Sequence, residues 1–139
     1  MAYTLDQLVI FAVRAGNIDV LKERVNAGGR INYIDPIHGN ALIEAIQKEK
    51  LEIIDYLIEN GADVNIKYKD CVGPIEIALR YSINPLVIQR LLNAGAKLRK
   101  KARPFYKERL KQCIIEMNKN KQGLVDSCNQ LSAPFQADT

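Results

Sequence analysis

The sequence predicts an all-α solenoid of stacked helix–turn–helix units joined by short finger loops, and three observations carry that prediction. In residues 40–66, NALIEAIQKEKLEIIDYLIENGADVNI, apolar residues follow helical spacing in two short runs, about Ala41 to Lys48 and Leu51 to Glu59, with Asn60-Gly61 closing the second. Neither run reaches the roughly 12–15 residues at which an isolated helix becomes marginal in water, so each must pack on a neighbour. The neighbours are copies. Gly61-Ala62-Asp63-Val64-Asn65 matches Gly28-Gly29-Arg30-Ile31-Asn32, 33 residues back, and Gly95-Ala96-Lys97-Leu98, 34 residues on.

The second helix of each unit confirms the register. Val20-Leu21, Ile53-Ile54 and Val87-Ile88 occupy one pair of positions, and Arg24-Val25, Leu57-Ile58 and Leu91-Leu92 the pair four residues on, which makes one apolar stripe per helix. Taken in order, residues 5–15 form the first helix with Thr4 as N-cap, and Gly16-Asn17 breaks the chain before the second, whose start Asp19 marks. Arg24, where later units carry Leu57 and Leu91, suits an end unit that needs a polar outer face. Residues 29–39, GRINYIDPIHG, read as a finger loop in which Asp35-Pro36 and His38-Gly39 supply the turn chemistry. Its Tyr33, Ile34 and Ile37 are apolar residues in a loop that should be wet, so they either contact a partner or pack on the adjacent finger. The second finger, IKYKDCVG, presents Lys67, Tyr68, Lys69 and Asp70. Pro74 opens the next helix, where a missing N–H costs nothing, and after Ser82-Ile83 the Asn84-Pro85 pair caps and starts the one that follows.

Residues 4–98 resemble three ankyrin repeats, with about 4–34, 35–67 and 68–101 as units; Glu59-Asn60-Gly61-Ala62-Asp63-Val64-Asn65 is close to that family's wording. Departures are visible as well. The family's Thr-Pro becomes Gln7-Leu8, Asn40-Ala41 and Gly73-Pro74, and its following His becomes Ile10, Ile43 and Glu76, so the Thr–His bond is missing from every unit. The resemblance implies a binding module in which the first helices line a concave groove and the fingers extend from its rim. The groove positions map to Arg14-Ala15, Gln47-Lys48 and Arg80-Tyr81, and with Lys67, Tyr68 and Lys69 they make a basic and aromatic strip. Arg14, Lys48 and Arg80 should then form one row with no counter-charge, suited to an acidic protein partner; ordinary solvated positions are the plain alternative. Glu44, in an apolar helix slot, belongs at the groove edge.

Past Leu98 the composition changes. Residues 97–121 carry ten Lys or Arg against Glu108 and Glu116, a local charge of +8 in a chain of net +4. Pro104 starts a helix, about 104–119, with Tyr106, Leu110, Cys113 or Ile114, and Met117 along one apolar stripe. This helix either caps the third repeat as a degenerate unit or also offers its basic face to an acidic partner, nucleic acid or a membrane surface. Residues 122–139 read as a polar tail after Gly123, with at most one short helix at 124–131 and mobile last residues.

At 139 residues, 47% hydrophobic and 26% charged, one soluble domain is expected. No export signal or run of about 18 apolar residues occurs, and Cys71, Cys113 and Cys128 are odd in number and widely spaced, so reduced thiols in a cytoplasmic protein without membrane insertion are expected. One histidine, His38, without a second ligand at suitable spacing argues against a metal, and no nucleophile set, phosphate loop or carboxylate pair argues for an enzyme or a cofactor. The expectation is a monomeric inhibitor or adaptor that works by occupying an acidic protein surface, an immunity protein blocking a toxin included, with nucleic-acid binding through 97–121 as the alternative.

Overall fold

The structure, a computed structural model, describes residues 2–69, 72–81 and 84–137, with side chains described through residue 121. Asp70, Cys71, Ser82, Ile83, the Cys128 side chain and the last two residues lie outside the described residues. Among the described residues seven helices follow in order: α1 Leu5–Ala15, α2 Ile18–Asn26, α3 Ala41–Gln47, α4 Leu51–Glu59, α5 Pro74–Tyr81, α6 Pro85–Asn93 and α7 Pro104–Ala137. They form an all-α repeat array. α1 packs on α3, α3 on α5 and α5 on α7, giving a row of first helices; α2, α4 and α6 pack behind their own first helices, and α4 packs on α6.

Local chemistry explains the boundaries. Thr4 accepts the Gln7 N–H while the Gln7 amide oxygen accepts the Thr4 N–H, a closed capping box at the start of α1. Asn17, Asn40 and Asn84 cap α2, α3 and α6 through their side-chain oxygens. The repeat register returns as a backbone requirement. Gly28, Gly61 and Gly95 follow α2, α4 and α6 at φ +106°, +92° and +95°, a region that side chains with a Cβ avoid. Gly16, between α1 and α2, is also left-handed, and Glu49 takes the same place in the second unit at φ 54°, with its carboxylate accepting the Asn84 N–H at 3.2 Å.

The core is one continuous layer between the two rows of helices. Ile10 and Leu21, Leu42, Ile46, Ile54 and Leu57, then Ile75, Leu79, Ile88 and Leu91 are the large side chains it removes from water. Polar stitching between units comes from two equivalent asparagines. Asn32 donates to the Gly61 carbonyl (3.0 Å) and accepts the Asp63 N–H (2.7 Å); Asn65 does the same with the Gly95 carbonyl (3.1 Å) and the Lys97 N–H (2.8 Å).

Two expectations change. The first finger is not wholly irregular, because Ile34–Asp35 (β1) and Gly39–Asn40 (β2) pair antiparallel, Ile34 opposite Asn40. The terminal helix does not stop near residue 119. α7 runs unbroken through Gly123 to Ala137, which replaces the expected tail and short helix. A lone glycine costs a helix only about 1 kcal/mol relative to alanine and ends it only when the chain turns left-handed there. Tyr106, Leu110, Cys113 and Met117 pack against the core, while Ile114, the alternative member of that stripe, and Ile115 are exposed. Burial pushes the Cys113 thiol pKa up.

Candidate functional site

The surface of interest is built from the last turns of α1, α3 and α5 and from the two fingers. Asp35 organises the first finger. Its buried carboxylate accepts the Ile37 and His38 N–H groups (2.8 Å each), the Gln7 amide (2.9 Å) and the Tyr33 hydroxyl (3.3 Å). These donors, Gln7 foremost and then the His38 amide, hold its pKa down to about 2 against the partly opposing effect of burial. Asn40 ties the strand to the helix: its amide donates to the Tyr33 carbonyl and its oxygen caps Leu42 and Ile43. So fixed, the finger turns Ile34 and Ile37 outward, 40% and 82% exposed. Tyr33 is half-buried against the core with the Arg30 guanidinium 5.4 Å from its ring centre, and burial raises its pKa. Arg30 is itself anchored by Asp6, whose two oxygens take three of its N–H groups.

The second finger leans on the first. The Tyr68 ring is half-buried with its hydroxyl against Gly39, where a Cβ would come within 2.9 Å of the oxygen, and Lys69 stands 5.7 Å from that ring. Lys67 and Lys69 are exposed. At the ends of the first helices Lys48 is exposed, and so are Arg80 and Tyr81, with the Arg80 guanidinium 5.2 Å from the Tyr81 ring centre.

Arg14 differs from the other cations. Its guanidinium donates to Glu44 Oε1 and to the His38 carbonyl, both at 3.0 Å, so the row does contain a counter-charge and Arg14 acts as a strut between α1, α3 and the first finger. Helix spacing did not reveal this pair because Glu44 lies 30 residues away on the neighbouring helix. Ile34, Ile37, Lys48, Lys67, Lys69, Arg80 and Tyr81 are exposed and form no ion pair among the described residues. Arg14 is exposed as well but tied to Glu44, while Tyr33 and Tyr68 are half-buried against the core.

Two clusters escaped sequence reasoning. At the N-terminal end the rings of Tyr3, Phe11 and His38 meet edge to face, with Phe11 4.8 Å from Tyr3 and 4.7 Å from His38, and Arg14 lies 5.7 Å from the Phe11 ring centre. The three-residue step from Phe11 to Arg14 on one helix face was the available signal. At the other end Glu76, 1% exposed, receives a two-pronged bond from Arg99, with Nη2 at 2.8 Å from Oε2. The signal there was a carboxylate at the position where the resembled family has histidine.

Among the described residues no three His, Cys, Asp or Glu side chains lie together as metal ligands, and no helix is long and apolar enough to cross a membrane. The family description "Ankyrin repeats (3 copies)" matches residues 9–102. The chain is 32% identical over 99 residues, 67% of its length, to an ankyrin repeat protein of Coxiella burnetii, of which it covers 29%. It is 41% identical over 54 residues, 39% of its length, to the potassium channel AKT1 of Arabidopsis thaliana, of which it covers 6%. The chain thus spans under a third of either relative.

Proposed function

Because the chain belongs to the ankyrin-repeat family, whose repeats are in general protein–protein interaction modules, we propose that it is a non-enzymatic inhibitor or adaptor that binds an acidic protein surface through the first-helix ends and fingers. The observation that carries this reading is the run of exposed Lys48, Lys67, Lys69, Arg80 and Tyr81 beside the bare fingertip residues Ile34 and Ile37. Arginine and tyrosine beside apolar anchors are the residue types that dominate interface energetics, and the lysines speed encounter with an acidic partner. Blocking a toxin, as an immunity protein would, is one form of such occupation. In this reading the chain works in the cytoplasm as a monomer when free.

The test is capture from a cytosolic extract at near-physiological salt, followed by mass spectrometry. The proposal expects one defined acidic polypeptide, retrieved by the parent and lost when Lys48, Lys67 and Arg80 are each changed to Glu. A second reading has its own observation: Lys100, Lys101, Arg103, Lys107, Lys111, Lys119 and Lys121 are all exposed on and before α7. Nucleic-acid binding there would show as copurified nucleic acid and a steep fall of affinity with salt.

A further inference from the structure

A small cavity of about 180 Å³ opens between α5 and α7, lined by Val72, Glu76, Arg80, Arg99, Arg103 and Tyr106. Three guanidinium-bearing residues and a phenol converge on it, against a single carboxylate. That carboxylate is already engaged, since Glu76 is buried and takes both prongs of Arg99. Arg80 and Arg103 are exposed and form no ion pair among the described residues, so the cavity carries an excess positive charge of about two. Its volume is below the roughly 300–1,000 Å³ of sites that enclose a whole small molecule, so it fits one functional group delivered from outside. Arg80 belongs both to this cavity and to the exposed basic strip, which makes the two surfaces continuous.

We infer that this cavity is an anion socket that receives a side-chain carboxylate of an acidic polypeptide, with Arg80 and Arg103 as the binding cations, Tyr106 as a neutral donor, and Arg99 as the structural base held by Glu76. The inference rests on the acidic-partner reading above and gives that partner an anchor point. A planar carboxylate matches the fork of a guanidinium, and a partly desolvated wall formed by Val72 and the Tyr106 ring strengthens each bond relative to open water. Arg99 does not need to leave Glu76 for the socket to work.

The probe is an N-acetylated, C-amidated peptide of alternating Glu and Gly, titrated into the full chain at low salt with backbone amide NMR shifts as the readout. The expected result is shifts at residues 72–76, 80 and 103–106, and a loss of affinity of about tenfold or more in the R80Q/R103Q variant, whose unchanged spectrum elsewhere shows that it is folded. Shifts confined to Lys48 and Lys67 with equal affinity for parent and variant would overturn the socket while leaving the acidic-partner reading standing. No shift anywhere, with a captured partner that is not acidic, would overturn both. Two further ligands distinguish the anion's source: a phosphoserine peptide of equal charge and a single-stranded oligonucleotide. Tighter binding of either one, with the same dependence on Arg80 and Arg103, would overturn the carboxylate assignment.

Discussion

Removing Arg99 should harm the fold far more than removing the charge it neutralises, because the two partners differ in burial: the Glu76 side chain is 1% exposed and that of Arg99 is 40% exposed. Arg99→Met leaves a carboxylate in the core without its guanidinium, and breaking a buried pair from that side costs about 3–5 kcal/mol. Glu76→Gln keeps the volume and one acceptor, while Arg99 turns toward water, so the loss is that of an exposed pair and one hydrogen bond, about 1–2 kcal/mol. Against a net stability of roughly 5–15 kcal/mol the first change is large and the second modest. Urea unfolding followed by far-UV circular dichroism measures both. With a slope near 2 kcal/mol per molar, the midpoint should fall by about 1.5–2.5 M for Arg99→Met and by about 0.5–1 M for Glu76→Gln. A third variant, Glu76→Leu with Arg99→Met, should recover most of the loss, since replacing both charges by apolar groups is close to neutral. Equal losses for the two single variants, or a double variant as unstable as Arg99→Met, would refute the assignment of Glu76 as a buried, Arg99-dependent charge.

Three further outcomes follow from the same structure. Asn32→Ala and Asn65→Ala each remove two bonds across one inter-repeat junction, so each should cost about 1–2 kcal/mol and, sitting at different junctions, the two should add within about 0.5 kcal/mol in a double variant. Asp35 has a folded pKa of about 2, below its ordinary 3.8, so its contribution to stability is present above pH 3.8 and disappears as pH falls through 2. Acid titration of stability between pH 4 and 2 should therefore be flatter in Asp35→Asn than in the parent. Ending the chain at Lys101 removes Tyr106, Leu110, Cys113 and Met117 from the face of the third repeat and should produce an aggregating protein, whereas a chain ending at residue 121 should remain soluble and cooperative by size-exclusion chromatography and denaturant melting.

What could be read from the residues divides along a physical line. Spacings of 33 and 34 place glycines where the chain must turn left-handed, and Thr4, Asn84 and Pro85 mark helix starts by local bonding alone, so helix order and most boundaries were legible. Gly123 misled because a glycine signals a stop only in combination with a left-handed turn, and α7 continues past it. Long-range polar pairs were the other gap. Arg14 with Glu44 joins side chains 30 residues apart on neighbouring units, and Arg99 with Glu76 joins side chains 23 residues apart within the third unit, and such partners follow no period of the sequence. In the candidate site the fingertip isoleucines and the free cations were visible as residue types; that Tyr33 and Tyr68 hold the fingers to the array was visible only once the fingers were placed against it.

The central claim, that the exposed strip on the first-helix ends and fingers is the binding surface, is tested most directly by charge reversal. Lys48, Lys67 and Arg80 replaced together by Glu form the strip variant; Arg14 is left in place because reversing it would face Glu44 with a second carboxylate. Lys107 and Lys111 replaced by Glu form the control on exposed α7 positions. Each should change stability by about 1 kcal/mol or less per site, so both variants should fold. Binding to the captured partner at low salt, measured by isothermal titration calorimetry, should be abolished in the strip variant and retained in the α7 variant. Parent-like affinity in the strip variant together with loss in the α7 variant would contradict the account and move the site to the basic face of the terminal helix.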